Sequence, residues 1–215
     1  MEALWSRFLP AYVFLAEQLK AKTIGEIYSV EASFGFANLD AVARVSEKKL
    51  GGGTILDLGV YTLNLIQMAF GNEQPEKVAA VGALNSSGVD ASVAAALSYT
   101  GGRSAVMRTH SVVEMPNTAT LIGTKGTIRL EKYFHCAQKV LLNGQEHAFP
   151  YPANTPEMNF PDGRGLRFEA DHVRELLVAG KRESPVMPHR DSLTLARISD
   201  EIRRQIGVVF PADQQ

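Results

Sequence analysis

The stretch KVAAVGALNSSGVDASVAAALSYTGGRSAVMRTHSVV, residues 77–113, decides the fold. It holds three runs rich in alanine and valine, separated by Ser86-Ser87-Gly88 and Gly101-Gly102, residues that favour tight turns. A parallel neighbour needs a crossover of a dozen or more residues, and no such crossover fits in these breaks. The runs therefore read as an antiparallel meander. The pattern continues through TATLIGT (118–124), TIRLEKY (127–133) and KVLLN (139–143). Lys125-Gly126 and Asn143-Gly144 punctuate it, the latter a strong signal for a two-residue hairpin. A doubly wound parallel sheet is excluded as the main architecture.

Outward from this region the period changes. Upstream, GEIYSVEASFGF (25–36) alternates Tyr28, Val30, Ala32, Phe34 and Phe36 against Ser29, Glu31 and Ser33, which is the period of a half-buried strand. The opening MEALWSRFLPAYVFLAEQLKAK has the outline of a signal peptide, with Arg7 ahead of an apolar run. Glu2, Pro10 inside the run, and Glu17 and Lys20 after it argue instead for an amphipathic helix with Pro10 in its first turn. Segment 54–70 reads as a helix stopped by Gly71. A proline-rich loop, 150–165, leads to two closing helices. In the first, Leu166, Ala170, Val173 and Leu177 form the apolar stripe and Asp171-His172 fall on the solvated side. In the second, Leu193, Ala196, Ile198, Ile202 and Ile206 form the stripe and leave Arg203 and Arg204 to water. The sum is one α+β domain over residues 1–215: an open, predominantly antiparallel β-sheet with helices packed on one face.

Composition narrows the function. The chain has 215 residues, 45% of them hydrophobic, and 22 Lys+Arg against 23 Asp+Glu leave a formal charge of -1. No large positive field exists to attract nucleic acid or acidic membranes. Segment 55–70 contains Asp57, Asn64 and Gln67, so no bilayer span is expected. Cys136 is the single cysteine, which excludes an internal disulfide and fits a reducing, cytoplasmic setting. The histidines His110, His135, His147, His172 and His189 show no i, i+4 pair, and no metal site is expected. His135 and Cys136 read as strand neighbours on opposite faces, a poor geometry for a nucleophile and its base.

GGGTILDLGVY, residues 51–61, carries the chemistry. Its glycines are adjacent, follow a polar segment and precede no Walker lysine, so they read as turn glycines that let a helix start close to the sheet. At about 100° per residue, Thr54, Asp57, Tyr61 and Asn64 share one narrow polar stripe on an otherwise apolar helix. Thr54-Ile55-Leu56-Asp57 also matches a capping box, which would make Asp57 structural. A buried phenol needs a partner, and an acid one turn away can position it or adjust its proton affinity. Spacing alone leaves Asp57 and Tyr61 open between a structural pair and a site pair.

MEALWSRFLPAY, KTIGEIYSVEASFGF and LGGGTILDLGVYTLNLIQMAFG resemble the glucose-fructose oxidoreductase/inositol dehydrogenase (Gfo/Idh/MocA) family from just after its nucleotide-binding domain. The similarity continues through GTKGTIRL and NFPDGRGLRFEADHVRELL to the final helix, and GGG-x-x-x-D-x-G-x-Y is its most specific part. The resemblance implies that residues 1–215 are a C-terminal substrate-binding and dimerisation domain. The nucleotide-binding domain, with its glycine fingerprint and Glu-Lys-Pro lysine, is missing from this chain. It further implies an NADP-dependent oxidoreductase acting on CH–OH groups of trans-dihydrodiol or D-xylose-type substrates. Tyr61 would relay the proton with Asp57 as its polar partner; Arg44 would lie near the site, and Phe160 and Trp5 would wall an apolar substrate. A solvated arginine and core aromatics are the alternative readings of those last three. NADP would belong to the full-length parent, with little activity expected from this chain alone. The alternative is a non-catalytic homodimerising or ligand-binding module. Either way, a homodimer through the uncovered sheet face is expected, where Ala79, Val81, Ala94, Ala96 and Val106 are small enough for close approach.

Overall fold

The alternating runs become strands of a single sheet. In the computed structural model, which describes residues 1–152 and 162–214, the strands are β1 Ile27–Gly35, β2 Lys77–Leu84, β3 Asp90–Tyr99, β4 Arg103–His110, β5 Ala119–Gly123, β6 Gly126–Leu130, β7 Lys139–Leu142 and β8 Gln145–Ala148. Their spatial order is β2-β3-β4-β1-β5-β6-β7-β8. The sequence QEHA of β8 carries no apolar alternation. It is placed by the turn before it, where Asn143 and Gly144 both adopt positive φ (52° and 82°), as a primed hairpin turn requires.

One pairing departs from the meander. β1 lies inside the sheet, antiparallel to β5 but parallel to β4 from Ser29↔Ser104 to Gly35↔His110. The chain between β1 and β4 contains two helices and the β2-β3 hairpin, which is length enough for a parallel crossover.

The helices are α1 Pro10–Lys20, α2 Ala43–Ser46, α3 Val60–Ala69, α4 Leu166–Val178 and α5 His189–Ile206. Pro10 sits in the first turn of α1. On the covered face of the sheet, Val30, Ala32, Phe34, Val93, Ala95, Leu97, Met107 and Leu121 share one core with Leu63 and Ile66 of α3 and Leu195, Ile198 and Ile202 of α5. The edge strand β2 is shielded by Gln205 of α5, whose side chain accepts from Ala80 N and donates to Val78 O, both at 2.8 Å. On the other face Ala79, Val81, Ala96 and Val106 are exposed, and the registers Ala79↔Ala96 and Ala96↔Val106 set the first, third and fourth of these side by side.

Four local expectations are corrected. In α5 Leu193 is exposed while Arg203 is buried and paired with Asp200 and Asp213, so its inward side is formed by Leu195, Ile198 and Ile202. The strand read over 127–133 ends at Leu130, and Phe134–Cys136 form a 3-10 turn in which His135 and Cys136 are both buried. The helix expected at 54–70 begins with a π-helical turn, Ile55–Gly59. Finally, α4 is rotated away from the expected orientation. His172 faces the body of the protein, its ring 4.7 Å from that of Phe8 and its Nε2 2.8 Å from Ser184 Oγ. The stripe of Leu166, Ala170, Val173 and Leu177 lies on the opposite side, with Leu166 and Leu177 exposed.

Candidate active site

The glycines open a close approach between helix and sheet. Gly53 has φ +119°, and a Cβ there would lie 2.4 Å from Asp90 Oδ1. A Cβ on Gly52 would lie 2.6 Å from Val45 O. These glycines are packed against the chain's own atoms and offer no cradle to a cofactor's phosphates, so NADP does not fit this loop. The gap admits Asp90 of β3, whose buried Oδ2 accepts from Ile55 N and from Thr54 Oγ1, each at 2.7 Å. Burial pushes the Asp90 carboxyl above its ordinary value, and these bonds act against that rise. The helix start is thus capped from β3. The capping box between Thr54 and Asp57 does not form, because Thr54 is turned into the sheet towards Asp90 and Thr109.

The π turn then rotates the next residues out of a regular helical register. Asp57 turns outward and forms an ion pair with Arg44, joining two of the residues singled out in the sequence. The Arg44 side chain is 60% exposed and that of Asp57 25%, so the pair sits at the rim. Tyr61, one turn on, points inward: its hydroxyl accepts a hydrogen bond from Trp5 Nε1 at 3.0 Å. Asp57 and Tyr61 therefore direct their hydrogen bonds to different partners. Burial pushes the Tyr61 phenol above its usual value; the Trp5 bond opposes this, and the nearby Asp57 charge adds to it.

Around Tyr61 stands a group of rings that the sequence did not bring together. Phe34 meets Tyr61 edge-on at 5.8 Å, and His135 lies 5.4 Å from Tyr61, 4.4 Å from Phe34 and 5.8 Å from Trp5. Burial lowers the His135 imidazole to about 4, so it is neutral at pH 7, and its Nδ1 has no hydrogen-bond partner among the described residues. The turn carrying it is tied to the N-terminal segment, with Ser6 Oγ donating to His135 O at 2.5 Å and Tyr12 Oη to Phe134 O at 3.1 Å.

Trp5 is positioned by a neighbour that sequence reasoning weighed only as part of a leader. Arg7 is buried. Its Nε donates to Asn64 Oδ1 at 2.6 Å, its Nη2 to Gln67 Oε1 at 2.8 Å, and its Nη1 to Asp191 Oδ2 at 2.6 Å and Val186 O at 2.8 Å. One guanidinium thereby joins the turn holding Trp5 to α3 and α5. Burial depresses the Arg7 pKa, and Asp191 offsets part of that. The residues of the polar line read on the helix do not act together, and each has its own partner: Thr54 with Asp90, Asp57 with Arg44, Tyr61 with Trp5, and Asn64 with Arg7. Phe160 lies outside the described residues. His135 had no signal in spacing; only the density of rings in Tyr133-Phe134-His135 hinted at it. No three or more His, Cys, Asp or Glu among the described residues could hold a metal ion. No described helix is long and apolar enough to cross a membrane.

The chain is similar to known proteins. The trans-1,2-dihydrobenzene-1,2-diol dehydrogenase of Xenopus tropicalis is 41% identical over 211 residues, 98% of this chain and 64% of the relative. The chain thus spans 64% of that curated relative's length. Among solved structures, an aldose-aldose oxidoreductase from Caulobacter crescentus complexed with glycerol superposes with a TM-score of 0.73 at 23% identity, covering 94% of this chain and 59% of that one. A 3-ketoreductase from Actinomadura kijaniata in complex with NADP and TDP-benzene gives 0.72 at 21%, covering 94% and 61%. At such identities the likeness shows the shared fold. The family model for the GFO/IDH/MocA C-terminal domain matches residues 12–129, which include the glycine turn, Asp57 and Tyr61, and the chain belongs to that family.

Proposed function

We propose that this chain is the substrate-binding half of an NADP-dependent oxidoreductase acting on CH–OH groups, with a trans-dihydrodiol or a D-xylose-type sugar as substrate. The observation that carries this reading is Tyr61: a phenol held by Trp5 Nε1 at 3.0 Å, walled by Phe34 and His135, one turn from the Arg44–Asp57 pair. Its raised pKa keeps it protonated at neutral pH, the state that can donate to a substrate oxygen as a carbonyl becomes a hydroxyl. In the oxidation direction it takes that proton back, and a cation brought near would ease its ionisation. The aromatic walls bind the ring or carbon skeleton, and the rim pair offers hydrogen bonds to a second hydroxyl.

The cofactor has no seat in the glycine turn, so the nicotinamide belongs to the part of the relatives that this chain does not span. The chain by itself then binds substrate but turns it over slowly. It works as a homodimer through the exposed sheet face bearing Ala79, Val81, Ala96 and Val106, in the cytoplasm.

Trp5 is the chain's single tryptophan, so its fluorescence reports on this site. Titration with trans-1,2-dihydrobenzene-1,2-diol and with D-xylose should change the emission saturably for at least one of them, and Tyr61→Phe should weaken that response. No response to either compound overturns the substrate-site reading. NADP reduction by the isolated chain at an enzymatic rate, abolished by Tyr61→Phe, overturns the claim that it has little activity alone.

A further inference from the structure

Between α1 and the inward side of α4 lies a groove of about 510 Å³, and among the described residues neither Trp5 nor Tyr61 lines it. Its floor is aromatic and aliphatic. Phe8 comes from the turn that also carries Trp5, Val13 and Ala16 from α1, and Phe168 and His172 from α4. The rings are held in place: that of His172 lies 4.7 Å from that of Phe8, and its Nε2 meets Ser184 Oγ at 2.8 Å. Ser184 is buried and already accepts from Val186 N and Met187 N, each at 3.1 Å, so its own proton goes to Nε2. That bond leaves the neutral imidazole with its proton on Nδ1 and fixes the orientation of the ring. The rim is charged, and its charges do not cancel. Glu17 of α1 and Asp171 and Glu175 of α4 stand with one free cation, Lys20. Arg7 at the base is already paired with Asp191. Arg167 answers Asp171 at 3.7 Å, while Glu17 and Glu175 form no ion pair among the described residues. The lining therefore keeps an excess of negative charge.

We infer that this groove is a second ligand site, which takes an amphipathic organic ammonium ion with its apolar part on the Phe8, Phe168 and His172 floor and its charge towards Glu17 and Glu175. Its volume falls in the range of small-molecule pockets. Two separate features select a cation. Aromatic faces attract positive charge through their quadrupoles. Unpaired carboxylates at the rim of an apolar cavity add a Coulomb attraction that a neutral guest lacks and that turns to repulsion for an anion. Binding there does not depend on the role given to Tyr61.

The probe is benzyltrimethylammonium, with benzyl alcohol and phenylacetate as its neutral and anionic counterparts, each titrated into the chain and followed by amide NMR shifts. The cation should shift residues 8–20 and 168–186 saturably and bind there about tenfold more tightly than either counterpart. Ala16→Phe, which fills the groove from α1, should abolish those shifts. Glu17→Gln combined with Glu175→Gln should weaken the cation about tenfold, to the level of benzyl alcohol. Both variants alter exposed side chains, unchanged Trp5 emission checks that each is folded, and either decides the matter if the other is not. Equal affinity of the cation and benzyl alcohol at these residues overturns the inference, as does binding of the cation that survives either variant. Shifts confined to the surroundings of Trp5 and Tyr61 overturn it too, because they put the cation in the candidate active site. So do shifts of residues 8–20 and 168–186 that grow with protein concentration before any probe is added, which mean that a second copy fills the groove.

Discussion

The helices α3 and α4 make opposite use of their apolar residues. In α3 the residues from Thr62 to Gln67 are all buried, including Asn64 and Gln67, because Arg7 supplies partners for both amides. In α4 no residue is buried, although its sequence has the cleaner amphipathic stripe. A clean stripe thus says that a helix has a partner, and it does not say that the partner is its own core. Polar residues can be the more deeply committed ones when a neighbour satisfies them.

The largest effect should come from removing the guanidinium that satisfies α3. Arg7→Ala leaves Asp191 and the Asn64 and Gln67 amides without it, and loss of one partner of a buried ion pair costs about 3–5 kcal/mol. Urea unfolding should show that loss, together with a change in Trp5 emission, since Arg7 braces the same turn. Next comes truncation of apolar residues in the two helices. Leu63→Ala should cost about 2–5 kcal/mol, the range for a fully buried leucine. Leu177→Ala in the isolated chain should change stability by less than about 0.5 kcal/mol. Equal losses at the two sites would contradict the exposure assigned to α4.

The ring cluster around Tyr61 should make stability depend on pH. His135 titrates at about 4 in the folded chain against 6.5 for the free imidazole, so between these values the unfolded chain binds more protons. Stability from this residue is complete above pH 6.5 and declines as pH falls towards 4, by about 3 kcal/mol in all. Denaturant midpoints measured from pH 7 to 4 should show this fall, and His135→Phe should flatten it. The smallest effect is expected at the rim. Asp57→Asn removes a partly exposed ion pair with Arg44 and should alter stability by no more than about 1 kcal/mol. A much larger loss would mean that Asp57 holds the π turn in place.

Much of the sheet was legible. The run 77–113 divides into strands at its glycine turns, although β4 stops at His110, because period-two alternation and positive-φ turn residues are local signals. The insertion of β1 beside β4 was not legible, since strand partnership depends on a long crossover rather than on local pattern. At the site, Asp57 and Tyr61 stood out by spacing, and Trp5 and Arg44 are the partners they find. The π turn that sends Asp57 outward was hidden, because an ideal helical wheel assumes constant rotation per residue.

By itself the sequence determined the α+β class, the meander, the glycine approach and the polar line on the helix after it, all of which depend on backbone freedom and the periods of strand and helix. Tertiary structure alone decided which partner each polar residue meets. Asp90 displaces Asp57 as the cap because Gly53 leaves room for a carboxylate from β3. His135 joins Tyr61 because a 3-10 turn folds beneath Phe34. The stripe of α4 faces outward because Phe168 and His172 occupy its inward side, a choice between two faces that local periodicity cannot make.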